Sequence, residues 1–219
     1  MIKLPDFTKS FEYENNFYLS CSSSRIAKTL AHYELFKLAN NLPGEIIECG
    51  VFKGASFSRF AMLRELFGHS FSKKIIGFDA FGKFPKTKYQ DDIKPRKRFI
   101  ANDGSEGISK QQLVKVLKNK KLDNNIELIK GDISKTVPDY IKLHPQLKIS
   151  LLNLDADVYE PSVTVLDYLY PRIVKGGILI LDDYSTFPGE TKAVDEYFKD
   201  KDIKIKKFPF AATPSFIIK

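Results

Sequence analysis

Five short, apolar, mostly β-branched runs, separated by stretches that pattern as helix, constrain this chain more than any other feature. They are Glu45–Glu48 (EIIE), Lys74–Phe78 (KIIGF), Ile126–Ile129 (IELI), Ile149–Leu154 (ISLLNL) and Ile178–Leu181 (ILIL). Near-continuous apolar character of this kind is what strands covered on both faces require. Helical patterns fill the gaps at Ser22–Asn40, Ala55–Phe67, Lys110–Leu117, Glu160–Ile173 and Thr191–Phe198, with a further helical segment beginning at Ser134. Such alternation predicts an α/β fold, a mostly parallel sheet with helices on both faces. Gly176–Gly177 is expected to end the helix before the fifth strand. Ile203–Lys206 and Ser215–Ile218 are separated only by a Phe/Pro/Ala turn region, so they are expected to close a seven-stranded sheet as an antiparallel hairpin.

No repeat and no Gly/Ser linker divides the 219 residues, so one domain over 1–219 is expected. Two segments resist the regular pattern. Residues 1–43 begin with an aromatic-rich stretch (Phe7, Phe11, Tyr13, Phe17, Tyr18) and are expected to form a helical or lid segment, and residues 80–108 a lid loop. The composition, 43% hydrophobic and 28% charged, excludes a disordered or low-complexity chain. Two cysteines, Cys21 and Cys49, offer no disulfide framework. No apolar run approaches the ~18 residues of a membrane span, and the N-terminus does not pattern as a signal peptide. A soluble, cytoplasmic protein is expected. The net charge of +8 favours anionic partners, or serves solubility alone.

The stretch Glu48-Cys49-Gly50-Val51-Phe52-Lys53-Gly54-Ala55-Ser56 leaves the first strand and enters a helix. Gly50 permits a tight turn, and Gly54 lets the helix start close to the sheet or to a ligand. Phe52 stands where a dinucleotide fingerprint would have its second glycine, so a ligand-free structural turn competes with a binding loop. Asp79 ends the second strand, where an acid accepts hydrogen bonds from ribose hydroxyls or simply caps a turn. Asp132, just past the third strand, is either a wall for an adenine ring or a helix N-cap.

The strongest chemistry lies in Asn153-Leu154-Asp155-Ala156-Asp157-Val158-Tyr159-Glu160 and Leu181-Asp182-Asp183-Tyr184. Both stretches follow apolar strands directly, and neighbouring parallel strands place their ends side by side. Asp155, Asp182 and Asp183 are therefore expected to converge, and three carboxylates together need neutralising. An all-oxygen donor set suits Mg²⁺, Mn²⁺ or Ca²⁺ and not zinc. The competing reading is that these acids cap strand ends. His32, His69 and His144 are scattered and are expected to be surface or helix residues.

Seven pieces in order resemble the macrocin O-methyltransferase (TylF) family of S-adenosylmethionine-dependent sugar O-methyltransferases. They are Glu48–Ser56 (ECGVFKGAS), Phe78–Pro85 (FDAFGKFP), Gly131–Pro138 (GDISKTVP), Leu154–Glu160 (LDADVYE), Leu169–Pro171 (LYP), Gly176–Tyr184 (GGILILDDY) and Ala193–Phe198 (AVDEYF). The resemblance implies a Rossmann-like class I methyltransferase fold, S-adenosyl-L-methionine as methyl donor, and a divalent ion, usually Mg²⁺. It implies that Glu48, Gly50, Val51, Gly54, Ser56, Asp79, Ala80, Phe81, Asp132, Ile133 and Asp155 line the donor site. Asp155, Asp182 and Asp183 would hold the metal, and Asp157 would be the catalytic general base. The acceptor implied is a hydroxyl of a sugar in a glycosylated or nucleotide-linked small molecule, and a homo-oligomer is expected. Ala156, where the family often has glycine, and the lysine-rich loop depart from its pattern.

Sugar hydroxyls are weak acids, so a bound cation that lowers their pKa would assist a carboxylate base. Asp155 and Asp157 lie two apart, and if both faced the ion Asp157 would be a ligand and another base would be needed. The segment 83–98 carries Lys83, Lys86, Lys88, Lys94, Arg96, Lys97 and Arg98 against Asp91 and Asp92. It would draw in an anionic saccharide, or is a solvated loop. A catechol-type metal-dependent O-methyltransferase is the rival enzyme reading. Nucleic-acid binding is the rival of a different class, and the chain lacks an RNP-like motif, zinc spacing or a clustered basic helix.

Overall fold

The computed structural model describes residues 2–219. Its elements run α1 (Ser10–Ser20), α2 (Ser23–Asn40), β1 (Glu45–Cys49), α3 (Ala55–Phe67), β2 (Ile75–Asp79), α4 (Gln90–Asp103), α5 (Lys110–Asn119) and β3 (Ile126–Lys130). There follow α6 (Ile133–Leu143), β4 (Ile149–Leu154), α7 (Tyr159–Tyr168), β5 (Ile173–Leu181), α8 (Pro188–Phe198), β6 (Lys206–Lys207) and β7 (Ser215–Ile218). The seven strands form one sheet in the order β3-β2-β1-β4-β5-β7-β6. The first five strands pair in parallel, while β7 runs antiparallel to both β5 and β6.

Strand periodicity decides which core each side chain joins. Ile46, Leu151, Ile178 and Ile180 face α2, α3 and α5, packing with Phe36, Phe57, Phe60 and Leu113. Ile47, Leu152, Leu179 and Leu181 face α6, α7 and α8, packing with Val137, Leu166 and Val194. Two buried faces account for the absence of charged residues in β4, all six of whose residues are buried. Because the five parallel strands point the same way, their carboxyl ends form one edge, and the chain leaves that edge four times through a non-glycine residue of positive φ. These are Phe52 (45°), Phe81 (46°), Asp157 (59°) and Ser185 (72°), after β1, β2, β4 and β5. Left-handed conformations cost such residues energy and gather where surrounding structure over-determines the backbone.

Four boundaries differ from the sequence expectation. The helix expected over Glu160–Ile173 stops at Tyr168, and a 3-10 turn over Tyr170–Arg172 follows, because Pro171 has no N–H to continue the helical ladder. Gly176–Gly177 lies inside β5 instead of ending a helix. Ile149 opposes Ile173 while Leu151 opposes Ile178, so β5 bulges here, and the φ of +81° at Gly176 makes the bulge affordable to the backbone. The penultimate strand contracts to Lys206–Lys207, with Ile203 and Ile205 packed on the core.

The fourth difference is the largest. The expected loop 80–108 contains the 14-residue helix α4, disguised in the sequence by Pro95 and a dense run of charges. The two ends of this excursion are tied together. Gly107 N donates to Gly82 O (2.7 Å), Phe84 N donates to Ser105 O (2.8 Å), and Lys83 bridges Glu106 in antiparallel sense. Beneath it sits a small separate core of Phe84, Val158 and Phe187, with Phe52, Phe99 and Ile100 against it. At the N-terminus α1 is helical yet buries none of its residues. Among the described residues no helix is long and apolar enough to cross a membrane.

Candidate active site

A cavity of ≈ 670 Å³ opens at the carboxyl edge of the sheet, within the size range of small-molecule sites. One wall is the glycine turn and strand ends: Gly50, Phe52, Asp79, Ala80, Asp132 and Ile133. Adjoining them are Asp155, Ala156, Asp157 and Glu160, and the lid contributes Lys83 to Lys88.

Gly50 holds the turn against the sheet. Its φ is 96°, and a Cβ there would lie 1.7 Å from the carbonyl oxygen of Asp155. Asp155 N in turn donates to Cys49 O (2.9 Å), so the ends of β1 and β4 are joined at the cavity floor. Asp79 fixes the same turn from the other side. Its Oδ2 accepts from Val51 N (2.8 Å) and Phe52 N (3.0 Å), and its Oδ1 accepts from Phe81 N. Burial pushes its pKa up, against the pull of these N–H groups. Three backbone donors occupy most of the acceptor capacity of one carboxylate, leaving about one lone pair for a ligand hydroxyl.

Asp132 is the N-cap of α6, its Oδ1 accepting from Ser134 N at 3.0 Å, and it lines the cavity as well. Both readings of this residue therefore coexist. Of the residues implied for the donor site, Gly50, Asp79, Ala80, Asp132, Ile133 and Asp155 border the cavity, whereas Glu48, Val51, Gly54, Ser56 and Phe81 lie behind its wall. The reason is packing. Val51 and Phe81 belong to the core between the sheet and α3, and Gly54 abuts Leu113 and Ile108. Ser56 donates its hydroxyl to Glu48 Oε1, which also accepts from Asn153 Nδ2 (3.2 Å). Burial pushes Glu48 to about 8, opposed by those two hydrogen bonds.

The acids sort into two groups. Carboxylate oxygens of Asp155, Asp157 and Asp183 all lie within 4.8 Å of one another. Asp182 is not in this group, contrary to the trio expected from the strand ends. Lys28 of α2 reaches its Oδ2, and His32, one helical turn further on, lies with Nε2 3.6 Å from its Oδ1. Successive residues at a strand end point to opposite faces, so Asp183 turns toward Asp157 while Asp182 turns toward α2. His32 is a helix residue, one of the two settings expected for it, and its imidazole is fully buried and stacked on Phe60. Its Nδ1 faces Arg59 Nη1 at 2.9 Å, and a guanidinium only donates, so the ring proton belongs on Nε2.

Electrostatics follow this division. Asp182 is driven up by burial, but His32 and Lys28 hold it at about 2. Asp155 and Asp157 are pushed well above the usual carboxylate range, by burial first and then by Asp182 and Asp183 respectively. Burial and Asp182 bring Asp183 to about 6. Two full charges about 5 Å apart repel by roughly 3 kcal/mol at an effective dielectric of about 20, so a proton or a cation must sit among these oxygens. Behind them the fully buried Glu190 accepts from Asp183 N (2.9 Å), and Glu190 N donates to Asp157 O. Asp183 Oδ2, Asp182 Oδ1 and Glu190 Oε2 are buried without a hydrogen-bond partner. Sequence reasoning missed Lys28, His32, Arg59 and Glu190. The only signal was the i, i+4 spacing of Lys28 and His32, which puts both on one helix face without saying which face meets the sheet.

The sheet order, the antiparallel last pair and a ligand-sized cavity at the carboxyl edge define the Rossmann-like fold of class I methyltransferases. The chain belongs to the macrocin-O-methyltransferase (TylF) family, whose pattern it matches over residues 21–209. It is 28% identical over 169 residues to demethyldecarbamoylnovobiocin O-methyltransferase of Streptomyces niveus, covering 76% of this chain and 62% of the relative. It is 28% identical over 175 residues to mycinamicin III 3''-O-methyltransferase of Micromonospora griseorubida, covering 77% of this chain and 65% of the relative. The chain thus spans less than two thirds of the length of these relatives. Among solved structures, CalS11, a calicheamicin methyltransferase, superimposes with a TM-score of 0.78 at 25% identity, covering 97% of this chain and 86% of that one. A second structure of CalS11, described as a TDP-rhamnose 3'-O-methyltransferase, superimposes with a TM-score of 0.74 at 26% identity, covering 97% and 88%.

Proposed function

We propose that this protein transfers the methyl group of S-adenosyl-L-methionine to a hydroxyl of a sugar carried on a glycosylated or nucleotide-linked small molecule, with a divalent cation, magnesium by preference. Family membership and the sugar-modifying relatives support the reaction class. One structural observation carries the rest: a single cavity is lined both by the glycine turn and by Asp155 and Asp157, whose carboxylates cluster with that of Asp183.

The residues present fit both groups. The cluster is all oxygen, which suits a hard cation, and Asp183 Oδ2 is buried without a partner. Asp155, Asp157 and Asp183 would hold the ion, which supplies Lewis acidity to a coordinated hydroxyl. The turn at Gly50 would let a donor approach the backbone closely, and Asp79, with one acceptor position free, would take a single ribose hydroxyl. As a ligand of that ion, Asp157, which borders the cavity as Glu160 does, would not also serve as the general base, and the hydroxyl proton would pass to another acceptor. Glu190 holds Asp183 and the Asp157 loop in place through their backbones. Phe84, Phe99 and Phe187 exclude water on the lid side. Lys83, Lys86 and Lys88 on the lid favour an acceptor bearing phosphate, and give the nucleotide-linked sugar preference over a neutral glycoside.

Methyl transfer from labelled S-adenosylmethionine to TDP-rhamnose and to a neutral rhamnoside, each with Mg²⁺ and with EDTA, tests this. Turnover of the nucleotide sugar that EDTA abolishes is expected. Turnover of catechols alone, or turnover indifferent to EDTA, would refute the assignment.

A further inference from the structure

We propose that Asp92 is a positioning residue, a buried peg that fixes the lysine-bearing segment 83–88 over the acceptor side of the cavity, with Glu160 as its reciprocal on the body of the protein. Asp92 is the only residue of α4 that is buried, and it is fully so. A helix that docks by apolar contact buries leucines and phenylalanines; this one buries a carboxylate. Its Oδ1 accepts from Gly189 N (2.7 Å) and its Oδ2 from Tyr159 N (2.9 Å). Tyr159 opens α7 and Gly189 lies in the first turn of α8, where backbone N–H groups lack intrahelical partners and carry the positive end of the helix dipole. One lid carboxylate thereby satisfies donors of two helices. Those two helices leave the loops that carry Asp157 and Asp183, so the peg ties the lid to both halves of the acid cluster.

The contact is returned. Glu160 of α7 accepts from Lys88 N (2.6 Å) through Oε1 and from the Thr87 hydroxyl (2.9 Å) through Oε2. Segment 85–89 is held between a lid acid seated in the body and a body acid seated on the lid. The fit leaves no slack, because a Cβ on Gly189 would fall 2.1 Å from Asp92 Oδ2. The donor end of the lid is fastened separately, through Gly82 to Gly107 and Phe84 to Ser105. Loss of the peg is therefore expected to free the acceptor half of the lid and leave the donor half standing.

Asp92→Asn tests this, since the amide keeps the shape but turns one acceptor into a donor facing an N–H. Trypsin nicking of the native protein at Lys86, Lys88 and the 94–98 run should accelerate about tenfold or more, as the loss of a charge-assisted hydrogen bond implies. S-adenosylhomocysteine affinity should stay within about twofold, while the KM for TDP-rhamnose rises about fivefold or more with a smaller change in kcat. Glu160→Gln, at a less buried site, should act in the same direction, and the double variant should add little to either. The acceptor claim rests on the reaction proposed above, and the nicking and donor measurements do not. If neither protein methylates TDP-rhamnose, accelerated lid nicking with donor affinity retained still upholds the peg. Unchanged nicking, or donor affinity falling in step with a general loss of thermal stability, overturns it, as does faster nicking with an unmoved KM.

Discussion

The ammonium of Lys28 closes on the carboxylate of Asp182 across the junction of α2 and β5, and this pair leaves Asp155, Asp157 and Asp183 to form the acid cluster without Asp182. Asp182 is 3% exposed and its partner 24%, so the pair is largely removed from water. Truncating one side of such a pair strands the other charge, and for a fully buried pair that costs about 3–5 kcal/mol. With Lys28 partly exposed, Lys28→Met should cost on the order of 2 kcal/mol, seen as a lower midpoint in urea. Adding Asp182→Asn should recover part of the loss. If the two losses add instead, the pair contributes nothing of its own.

Cation affinity separates the two possible ligand sets. Because Asp182 is engaged by Lys28, Asp155→Asn, Asp157→Asn and Asp183→Asn should each weaken Mn²⁺ binding about tenfold or more, as loss of a carboxylate ligand does. Asp182→Asn should weaken it less than about threefold. Calorimetric titration of Mn²⁺ against each variant reads this directly, without any acceptor. A ranking with Asp182 the most damaging would mean that Lys28 yields its partner when a cation enters.

Most of the fold was legible in the sequence because two-sided burial imposes a strong signal. ISLLNL and ILIL leave little choice but interior parallel strands, and the acids that follow them must sit at the sheet's carboxyl edge. What remained hidden depended on direction, not on position. Asp182 and Asp183 are neighbours in sequence, yet α2 claims one and the acid cluster the other, and nothing local to GGILILDDY announces a lysine more than 150 residues away. The lid helix was hidden for a different reason. Its one fully buried side chain is the carboxylate of Asp92, with apolar packing confined to Phe99 and Ile100 near its end, so a search for hydrophobic periodicity passes over it.

Glu48 should make stability depend on pH. Its carboxyl is fully buried, and burial raises it from 4.5 to about 8, so the folded state favours the protonated form. A raised acid contributes stability that is complete below the unfolded pKa and is lost as pH climbs through the folded one. Between about pH 4.5 and 8 the protein should therefore lose stability on account of this group, on the order of 3 kcal/mol after allowance for relaxation of the buried site. Glu48→Gln keeps an oxygen for Ser56 and Asn153 and removes the titration. The difference in unfolding free energy between variant and native protein should shift in favour of the variant from pH 5 to pH 8. A difference that stays flat over this range would show that Glu48 titrates normally.

The positive-φ residues at the sheet edge offer a graded test of backbone strain. Ser185 has φ 72°, is exposed, and uses its backbone N–H to reach Thr191 Oγ1, a bond that glycine preserves. Ser185→Gly removes the left-handed penalty of roughly 1–2 kcal/mol and adds a smaller unfolded-state entropy cost, so it should stabilise by about 0.5 kcal/mol. Gly50 lies at φ 96° on the same edge, but Gly50→Ala places a methyl 1.7 Å from the Asp155 carbonyl, where backbone must move. That substitution should destabilise by about 3 kcal/mol or more and pull the loops carrying Val51 and Asp155 apart. Thermal melts of the two variants side by side measure the contrast. A neutral Gly50→Ala would mean that the turn after β1 does not need its close approach to β4, and the floor of the cavity would then have to be redrawn.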